Sequence, residues 1–273
     1  MLTCKLQAQR MAARRRAPGL SARARRPAAV ARAALLDEGK VLVAGATGGT
    51  GKAVVDALAA RGVSVRALAR DTTKAASMGL AGVGKTTEIV RGDVFQFGSL
   101  PPALDGCSSL VVCTGARDPT DPLGPFNVDY QGTLNLLAAA RQSGSVRHVV
   151  LVSSIGADDL LNPLNLFWGV LFWKKRAEEE VQRSGLPYTI VRPGGLKTEL
   201  RQGESVGSIV MAAPGTYGVP PKKSGSILRS QVAEVCVAAL AEPFAQNKVV
   251  EVIAERDAPA KTMTELFSGV NWY

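Results

Sequence analysis

Three glycines in a Gly-x-x-Gly-x-x-Gly pattern, Gly45, Gly48 and Gly51, are well suited to chemistry with an anionic ligand. They follow the apolar run 41–44 and precede the apolar-periodic run 52–60, which predicts a strand, a tight turn and a helix. The first glycine permits the turn, the second lets the backbone approach a pyrophosphate, and the third lets the helix pack against the strand. The helix amides are then free to bind an anion. The pattern predicts a dinucleotide site, the alternative being an ordinary strand-to-helix loop.

Arg70 lies at the end of the second predicted strand, residues 63–69. At this position an acid accepts hydrogen bonds from the adenosine ribose, whereas an arginine pairs with a 2′-phosphate. Arg70 therefore predicts a preference for NADP(H) over NAD(H), tempered by Asp71, which follows it directly. The alternative role of Arg70 is a solvated charge at the end of a strand.

Residues 79–86 match the phosphate-loop pattern Gly-x4-Gly-Lys-Thr, but their surroundings argue against nucleotide hydrolysis. A phosphate loop leaves a strand and enters a helix, so that the helix amides and the lysine converge on the phosphates. Here a helix-compatible stretch precedes the pattern and a strand-like run, 88–91, follows it. We therefore interpret this match as an ordinary loop that leads from a helix into a strand, the reverse of the order in a phosphate loop.

The chain of 273 residues has a net charge of +10, and the position of that charge decides its meaning. Residues 1–36 contain no acid, whereas the rest of the chain is close to neutral, so no nucleic-acid partner is expected. A leader rich in Ala and Arg without a long apolar core is typical of an organelle transit peptide; the alternative is a basic tail. The basic residues of the leader are Lys5, Arg10, Arg14, Arg15, Arg16, Arg23, Arg25, Arg26 and Arg32.

Strand-like runs alternate with helix-like segments through residues 37–273, which we interpret as a single domain. This order predicts an α/β fold with a doubly wound parallel sheet and a small C-terminal lobe on the substrate side. Thr114 and Gly115 follow a buried strand, and Ser153 and Ser154 follow the strand 148–152. These four residues are therefore expected at the carboxyl edge of the sheet, where ligands bind. Further predicted elements are helix 128–142, strand 188–193, an irregular segment over 202–226, helix 231–240 capped by Ser230, strand 248–253 and a short final helix.

The cysteines and the single histidine do not have the spacing of a metal site, and no metal is expected. The cysteines contain no Cys-x-x-Cys pair, which favours structural thiols in a reducing compartment. His148 begins an apolar run and is interpreted as a strand-edge residue. The four cysteines are Cys4, Cys107, Cys113 and Cys236.

The apolar segment 160–173 directly precedes Lys174 and is too short to span a bilayer. We expect residues 166–173 to be the first turns of the helix that carries Lys174, partly exposed, with Trp168 and Phe172 buried in the core. The alternatives for these aromatic side chains are a subunit interface or a membrane surface.

Several motifs together resemble the atypical short-chain dehydrogenase/reductases. They are Gly-Ala-Thr-Gly-Gly-Thr-Gly at 45–51, Val-Asp-Tyr-x-Gly-Thr at 128–133, Leu-Val-Ser-Ser at 151–154 and Ser-Gly-Leu-Pro-Tyr-Thr-Ile-Val-Arg-Pro-Gly-Gly at 184–195. More narrowly, residues 166–175 and 249–255 are similar to the NADPH-binding domain of the Tic62-like proteins. Members of that family are subunits of the inner-envelope translocon of plant and algal chloroplasts.

The resemblance implies an NADP(H) cofactor and a set of residues that bind it. Asp93 and Val94 would flank the adenine, Lys174 would bind the nicotinamide ribose, and Ser153 and Ser154 would line the nicotinamide pocket. The implied cofactor-binding set is Gly45, Ala46, Thr47, Gly48, Thr50, Gly51, Arg70, Asp93, Val94, Thr114, Gly115, Lys174 and Pro193.

Enzymes of this family use a Tyr-x-x-x-Lys pair, in which the phenol exchanges a proton with the substrate. Four positions before Lys174 stands Val170, and four before Lys175 stands Leu171. The chain thus has the lysine without the phenol. Because residues three and four positions earlier share the helix face of Lys174, we expect Val170 and Leu171 to point towards the cofactor pocket and make it apolar. Two functions stay open: an NADP-dependent oxidoreductase on a substrate that the sequence does not name, or a non-catalytic, cofactor-sensing scaffold for a chloroplast membrane complex.

The resemblance and the leader together predict a chloroplast protein of the stroma, either free or in peripheral contact with a membrane. Tic62-like proteins also carry a repeat-containing carboxyl-terminal tail that binds ferredoxin-NADP reductase. The chain ends at Tyr273 without such repeats. We therefore do not expect this reductase as a partner.

Overall fold

The computed structural model describes residues 39–82 and 87–270, which are organised around a ten-stranded sheet. Strands β3-β2-β1-β4-β5-β6-β10 are parallel in that order, and the order reverses between β1 and β4. The predicted doubly wound fold is thereby confirmed. The strands are β1 Lys40–Ala44, β2 Val65–Ala69, β3 Thr87–Arg91, β4 Cys107–Val112, β5 His148–Val152, β6 Tyr188–Pro193, β7 Gly195–Lys197, β8 Ser208–Ala212, β9 Ser226–Leu228 and β10 Lys248–Glu255.

Helices cover both faces of the sheet. A π-helical turn, Pro125–Gln131, leads into α4, and a 3-10 turn, Pro163–Leu166, precedes α5. Within the described residues, no helix is both long and apolar enough to cross a membrane. The α-helices are α1 Gly49–Ala60, α2 Thr72–Ser77, α3 Leu100–Leu104, α4 Gly132–Ser143, α5 Val170–Arg183, α6 Arg229–Ala241 and α7 Met263–Gly269.

Alternation along the strands divides the core into two layers. On β1, Val41 and Val43 join the layer that contains α1 and α6, whereas Leu42 joins the layer of α3 and α4. Because both faces are covered, the strand is a continuous apolar run rather than an alternating one. Leu58 of α1 is fully buried, so truncating it to alanine is expected to cost about 2–5 kcal/mol.

The helix that carries Lys174 begins at Val170, not at residue 166 as predicted. Trp168 and Gly169 have left-handed backbones with φ of 57° and 70°, which interrupts any helix at that point. The side chain of Asn165 then accepts hydrogen bonds from the amides of Leu171 and Phe172, each at 3.0 Å, and so caps the new helix.

Three further expectations were wrong. Residues 202–226 are not wholly irregular, because β8 lies within them and pairs antiparallel with β10. Ser230 does not cap α6, since that helix begins at Arg229, two residues earlier than predicted, and its N-cap is Leu228. Trp168 and Phe172 are not core residues, because they are 48% and 39% exposed to solvent.

The predicted transit peptide and residues 83–86 of the phosphate-loop match lie outside the described residues. The described part of that match, residues 79–82, comes after α2 and before β3 in the chain. A helix therefore precedes it and a strand follows it, as we predicted and contrary to the order of a working phosphate loop.

Candidate functional site

The glycine-rich turn joins β1 to α1 with very little space around it. Gly45 has a φ of +78°, in the left-handed region that favours glycine. A Cβ added to Gly51 would lie 2.2 Å from the carbonyl oxygen of Gly45. Only glycine therefore allows the first turn of α1 to pack this closely over the end of β1.

The N-terminus of α1 is open to an anion. Its cap residue is Gly48, which has no side chain to accept from the helix amides, and the first turn contains no acid. Uncapped amides and the helix dipole together favour a negatively charged group here.

A cleft of about 580 Å³, here called the glycine-turn cleft, runs past this helix end along the carboxyl edge of the sheet. Of the predicted cofactor residues, Ala46 and Gly51 lie beneath its surface, where they pack the turn. The cleft is lined by Gly45, Thr47, Gly48, Gly49, Thr50, Leu68, Ala69, Arg70, Gly92, Asp93, Val94, Phe95, Cys113, Thr114, Gly115, Ala116, Arg117, Asp118, Asp121, Gly124, Asn127, Val128, Leu196 and Arg229.

A second space of about 530 Å³, the Lys174 cavity, adjoins the cleft and shares Thr50, Cys113, Thr114, Gly115 and Leu196 with it. Its walls are mostly apolar or glycine. The other lining residues are Val152, Ser153, Ser154, Ile155, Asn162, Pro163, Leu164, Lys174, Pro193, Gly194, Gly195, Gly218, Val219, Ser224 and Gly225. The structure thus places Ser153, Ser154, Lys174 and Pro193 around one cavity.

Lys174 is held in place by a buried carboxylate. Its Nζ lies 2.5 Å from Oδ1 of Asp129, which is 3% exposed. The other carboxylate oxygen of Asp129 accepts the amide of Ala116 at 3.1 Å. Asp129 was not among the predicted site residues, although an acid within the apolar helical pattern 128–142 is a signal of such a role.

Two hydroxyl groups at this edge are buried without a partner. Within the described chain, neither Thr114 Oγ1 nor Ser153 Oγ has a hydrogen-bond partner. A buried hydroxyl without a partner is uncommon in folded proteins, because it loses its hydrogen bonds to water. Ser154 differs, since its hydroxyl donates to the carbonyl of Ile155 at 3.1 Å. Thr114 and Ser153 therefore have free hydrogen-bonding capacity beside the cavity.

The wall near Lys174 is formed by the turn before α5. Asn162, Pro163 and Leu164 line the cavity, whereas Val170 and Leu171 are absent from the lining found for the described residues. We expected Val170 and Leu171 to point into this space; instead Leu171 is buried, close to Gly156. The late start of α5 explains the difference, because residues 162–164 reach the cavity in their place.

The histidine and the thiols are the remaining candidate groups. His148 is 1% exposed and its Nε2 is 3.0 Å from Thr189 Oγ1, so it is a buried residue between β5 and β6 rather than a catalyst. Burial raises the pKa of Cys107 to about 11 and that of Cys113 to about 12, which keeps both thiols protonated. Within residues 39–82 and 87–270, no group of three or more potential ligands could hold a metal ion.

The donor set fits a dinucleotide. Phosphates would suit the uncapped helix end, the glycines of the turn and the arginines of the cleft. The ribose and amide groups of a nicotinamide nucleoside would suit Lys174 and the two hydroxyls that have no partner among the described residues. The arginines at positions 117 and 229 were not predicted from the sequence, because no local pattern marks them.

Comparison with known proteins agrees with this geometry. The sequence model of a family described as NAD(P)H-binding matches residues 45–243. The chain is 42% identical over 242 residues to the chloroplast protein At2g34460 of Arabidopsis thaliana, covering 85% of this chain and 82% of that protein. It is 35% identical over 254 residues to Protein TIC 62 of Pisum sativum, with 86% of this chain covered but only 46% of the longer relative.

A relative with a reductase name and a solved structure extend the comparison. Sanguinarine reductase of Eschscholzia californica is 30% identical over 271 residues, covering 84% of this chain and 95% of that enzyme. A Bacillus halodurans structure described as an NAD-dependent epimerase/dehydratase superposes with a TM-score of 0.70 at 25% identity, covering 85% of this chain and 99% of that one. The protein therefore belongs to the NAD(P)H-binding family, as an atypical short-chain dehydrogenase/reductase similar to the chloroplast TIC 62 proteins.

Proposed function

We propose that the protein is a chloroplast reductase that binds NADP(H) and reduces an apolar substrate in the Lys174 cavity. The wall shared by the two spaces carries this proposal: Thr50, Cys113, Thr114 and Gly115 line both. A dinucleotide in the glycine-turn cleft and a second molecule in the cavity would meet across these residues. The mostly apolar lining favours a substrate with few polar groups.

The described side chains give the site residues specific roles in this proposal. NADPH, when bound, supplies a hydride. Lys174 has three N–H donors, and Asp129 accepts one of them, which leaves two for ribose hydroxyls. Thr114 and Ser153 provide hydroxyls that have no partner among the described residues. With no tyrosine at 170 or 171, the proton that follows the hydride comes from solvent or from one of these hydroxyls.

The preference for NADP(H) is supported by the two residues that follow β2. Arg70 is exposed and lines the cleft, where its guanidinium is available to a 2′-phosphate. Asp71 is otherwise engaged, since its carboxylate accepts the amide of Lys74 at 2.8 Å and caps α2. An acid that caps a helix is not positioned as a free acceptor for the ribose. The reductase role itself is supported by the name of the sanguinarine reductase relative.

A second function is favoured by the surface beside the cavity. The surface segment, residues 160–172, carries large apolar side chains that are at least 39% exposed: Leu160, Leu161, Leu164, Leu166, Phe167, Trp168 and Phe172. An apolar surface of this kind suits a contact with a protein complex or a membrane. In this alternative the protein is a scaffold or assembly factor for a chloroplast membrane complex that responds to bound NADP(H) without turning it over.

A substrate screen separates the two functions. Protein lacking residues 1–36 is incubated with NADPH and a panel of apolar carbonyl and quinone acceptors, and the absorbance of NADPH is followed. The reductase proposal expects turnover with at least one acceptor and its loss in Lys174→Ala. Turnover that persists in Lys174→Ala contradicts the role given to Lys174, whereas no turnover across a broad panel by a protein that binds NADPH favours the scaffold.

Chloroplast location is supported by relatives that are named as chloroplast proteins and by the basic leader. Fusion of residues 1–36 to a fluorescent reporter tests it. We expect import into chloroplasts and a nearly neutral mature protein. A cytosolic signal would contradict the transit peptide, and a mitochondrial one would contradict the chloroplast assignment alone.

A further inference from the structure

Two arginines from distant parts of the chain flank the glycine-rich turn. Arg117 lies in the loop after β4, and Arg229 is the first residue of α6. A Cβ added to Gly48 would lie 2.9 Å from Nη2 of Arg117, and one added to Gly49 would lie 2.8 Å from Nε of Arg229. The two side chains thus approach adjacent residues at the N-terminus of α1.

Among the residues that the structure describes, no acidic side chain forms an ion pair with these arginines. Neither takes part in any of the ion pairs between residues of the described ranges. Arg229 donates from Nη1 to Thr198 Oγ1 at 2.7 Å, a neutral acceptor. The cleft does contain three acids, but Asp93, Asp118 and Asp121 accept hydrogen bonds from nearby amides, those of Phe95, Thr120 and Leu123 respectively.

We propose that Arg117 and Arg229 bind the pyrophosphate of the dinucleotide beside the glycine-rich turn. A pyrophosphate at the end of α1 carries two negative charges, and the helix amides alone supply only partial positive charge. A guanidinium group matches phosphate oxygens in charge and geometry, and it can donate two parallel hydrogen bonds. Arg70, at the end of β2, remains for the 2′-phosphate.

Binding through Arg229 would join two parts of the molecule. Arg229 belongs to a helix that packs on α1, and it contacts Thr198, which directly follows β7. Leu196 of β7 and, further along the chain, Gly218 and Val219 line the Lys174 cavity. A pyrophosphate held by Arg229 therefore stabilises the wall against which a second molecule binds.

The experiment compares NADPH with NADH, which share the pyrophosphate and differ in the 2′-phosphate. This inference rests on dinucleotide binding, so wild-type affinity is measured first by calorimetric titration. Arg117→Ala and Arg229→Met are each expected to lower the affinity for both cofactors about 10-fold or more, by a similar factor for NADPH and NADH. Arg229→Met keeps an apolar stem over Gly49 while removing the charge. Arg70→Ala is expected to weaken NADPH alone.

Arg147→Ala is the matched control, because Arg147 is exposed and lies outside both spaces. It is expected to bind both cofactors like the wild type, and urea denaturation checks that each variant folds. Unchanged affinity in Arg117→Ala or Arg229→Met overturns the role of that arginine. A loss of affinity for NADPH alone also overturns that role, because it assigns the arginine to the 2′-phosphate. A wild-type protein that binds neither cofactor contradicts the proposed function itself.

Discussion

Lys174 and Asp129 form an ion pair of 2.5 Å at the carboxyl edge of the sheet, although they lie 45 residues apart in the chain. Asp129 comes from the π-helical turn before α4, and Lys174 from the second turn of α5. The aromatic rings of Phe126, Tyr130 and Trp173 pack together beside this pair, with centroid distances from 4.8 to 5.9 Å. The position of the lysine is therefore fixed by the protein before any ligand binds.

Replacing Asp129 with asparagine should weaken both folding and cofactor binding. The change leaves a partly buried ammonium without its carboxylate. We expect a loss of roughly 1–3 kcal/mol in the free energy of unfolding, less than a fully buried pair would lose, because water still reaches Lys174. Urea denaturation measures it, with Asp56→Asn, which breaks the exposed pair with Lys52, as a control expected to cost less than about 1 kcal/mol. Equal losses in the two variants would contradict a special role for Asp129.

Replacing Arg70 with aspartate should reverse the cofactor preference. The arginine no longer pairs with the 2′-phosphate, and the new carboxylate repels it, so we expect NADPH affinity to fall by about 10-fold or more. NADH affinity should be unchanged or higher, because an acid here can accept from the ribose. Fluorescence titration of both cofactors measures the change. Equal wild-type affinities for NADPH and NADH would disprove the assignment of Arg70.

Arg192 should be among the residues least tolerant of substitution. It is 1% exposed and donates to Glu178 at 2.9 and 2.6 Å and to Asp158. Arg192→Met leaves the fully buried Glu178 without its cation, for which we expect a loss of about 3–5 kcal/mol. Thermal and urea denaturation measure it. Arg183→Met, which removes a 61% exposed arginine, should cost less than about 1 kcal/mol.

The same cluster makes stability depend on acid pH. Burial alone would raise the pKa of Asp158, but hydrogen bonds from Arg192 and Lys175 outweigh it and lower that pKa from 3.8 to about 2. Because the pKa is depressed by folding, the contribution is complete above pH 3.8 and is lost as the pH falls towards 2. The stability difference between wild type and Asp158→Asn should therefore shrink over this range. Asp257→Asn, at an exposed position, is the control; a difference that stays constant with pH would contradict the prediction.

Replacing Trp168 and Phe172 together with serine should leave the domain folded. Both side chains are substantially exposed, so little apolar burial is lost. The change removes the hydrogen bond from Trp168 Nε1 to the carbonyl of Pro119 and the edge-to-face contact of Phe172 with Trp173. We expect a thermal midpoint close to that of the wild type and weaker association with vesicles or with other subunits. Co-sedimentation with vesicles containing anionic lipid and size-exclusion chromatography measure these.

Phe244→Ser is the control for that double variant, because it removes another exposed aromatic side chain. If the double variant unfolds, the two side chains are core residues after all. If it folds and associates as before, the surface segment has no binding role.

The nucleotide-binding half was predictable because its signals are local. The turn around Gly45 and Gly51 and the strand 148–152 each depend on residues close in sequence. The strand β8 was missed because its partner β10 lies some 40 residues away and its Gly-rich surroundings masked the apolar run Ile209, Val210 and Met211. Arg117 and Arg229 were missed for the same reason, since only the folded sheet brings them to one turn.

The wall formed by Thr50, Cys113, Thr114 and Gly115 belongs to both spaces, and this has a consequence for the order of events. If a molecule enters the Lys174 cavity before the dinucleotide is bound, the cavity is still open towards the cleft at this shared wall. Once a dinucleotide lies there, its own surface closes the opening and becomes part of the receptor. The cofactor should therefore bind before the second ligand, and screens for that ligand should be run on protein saturated with dinucleotide.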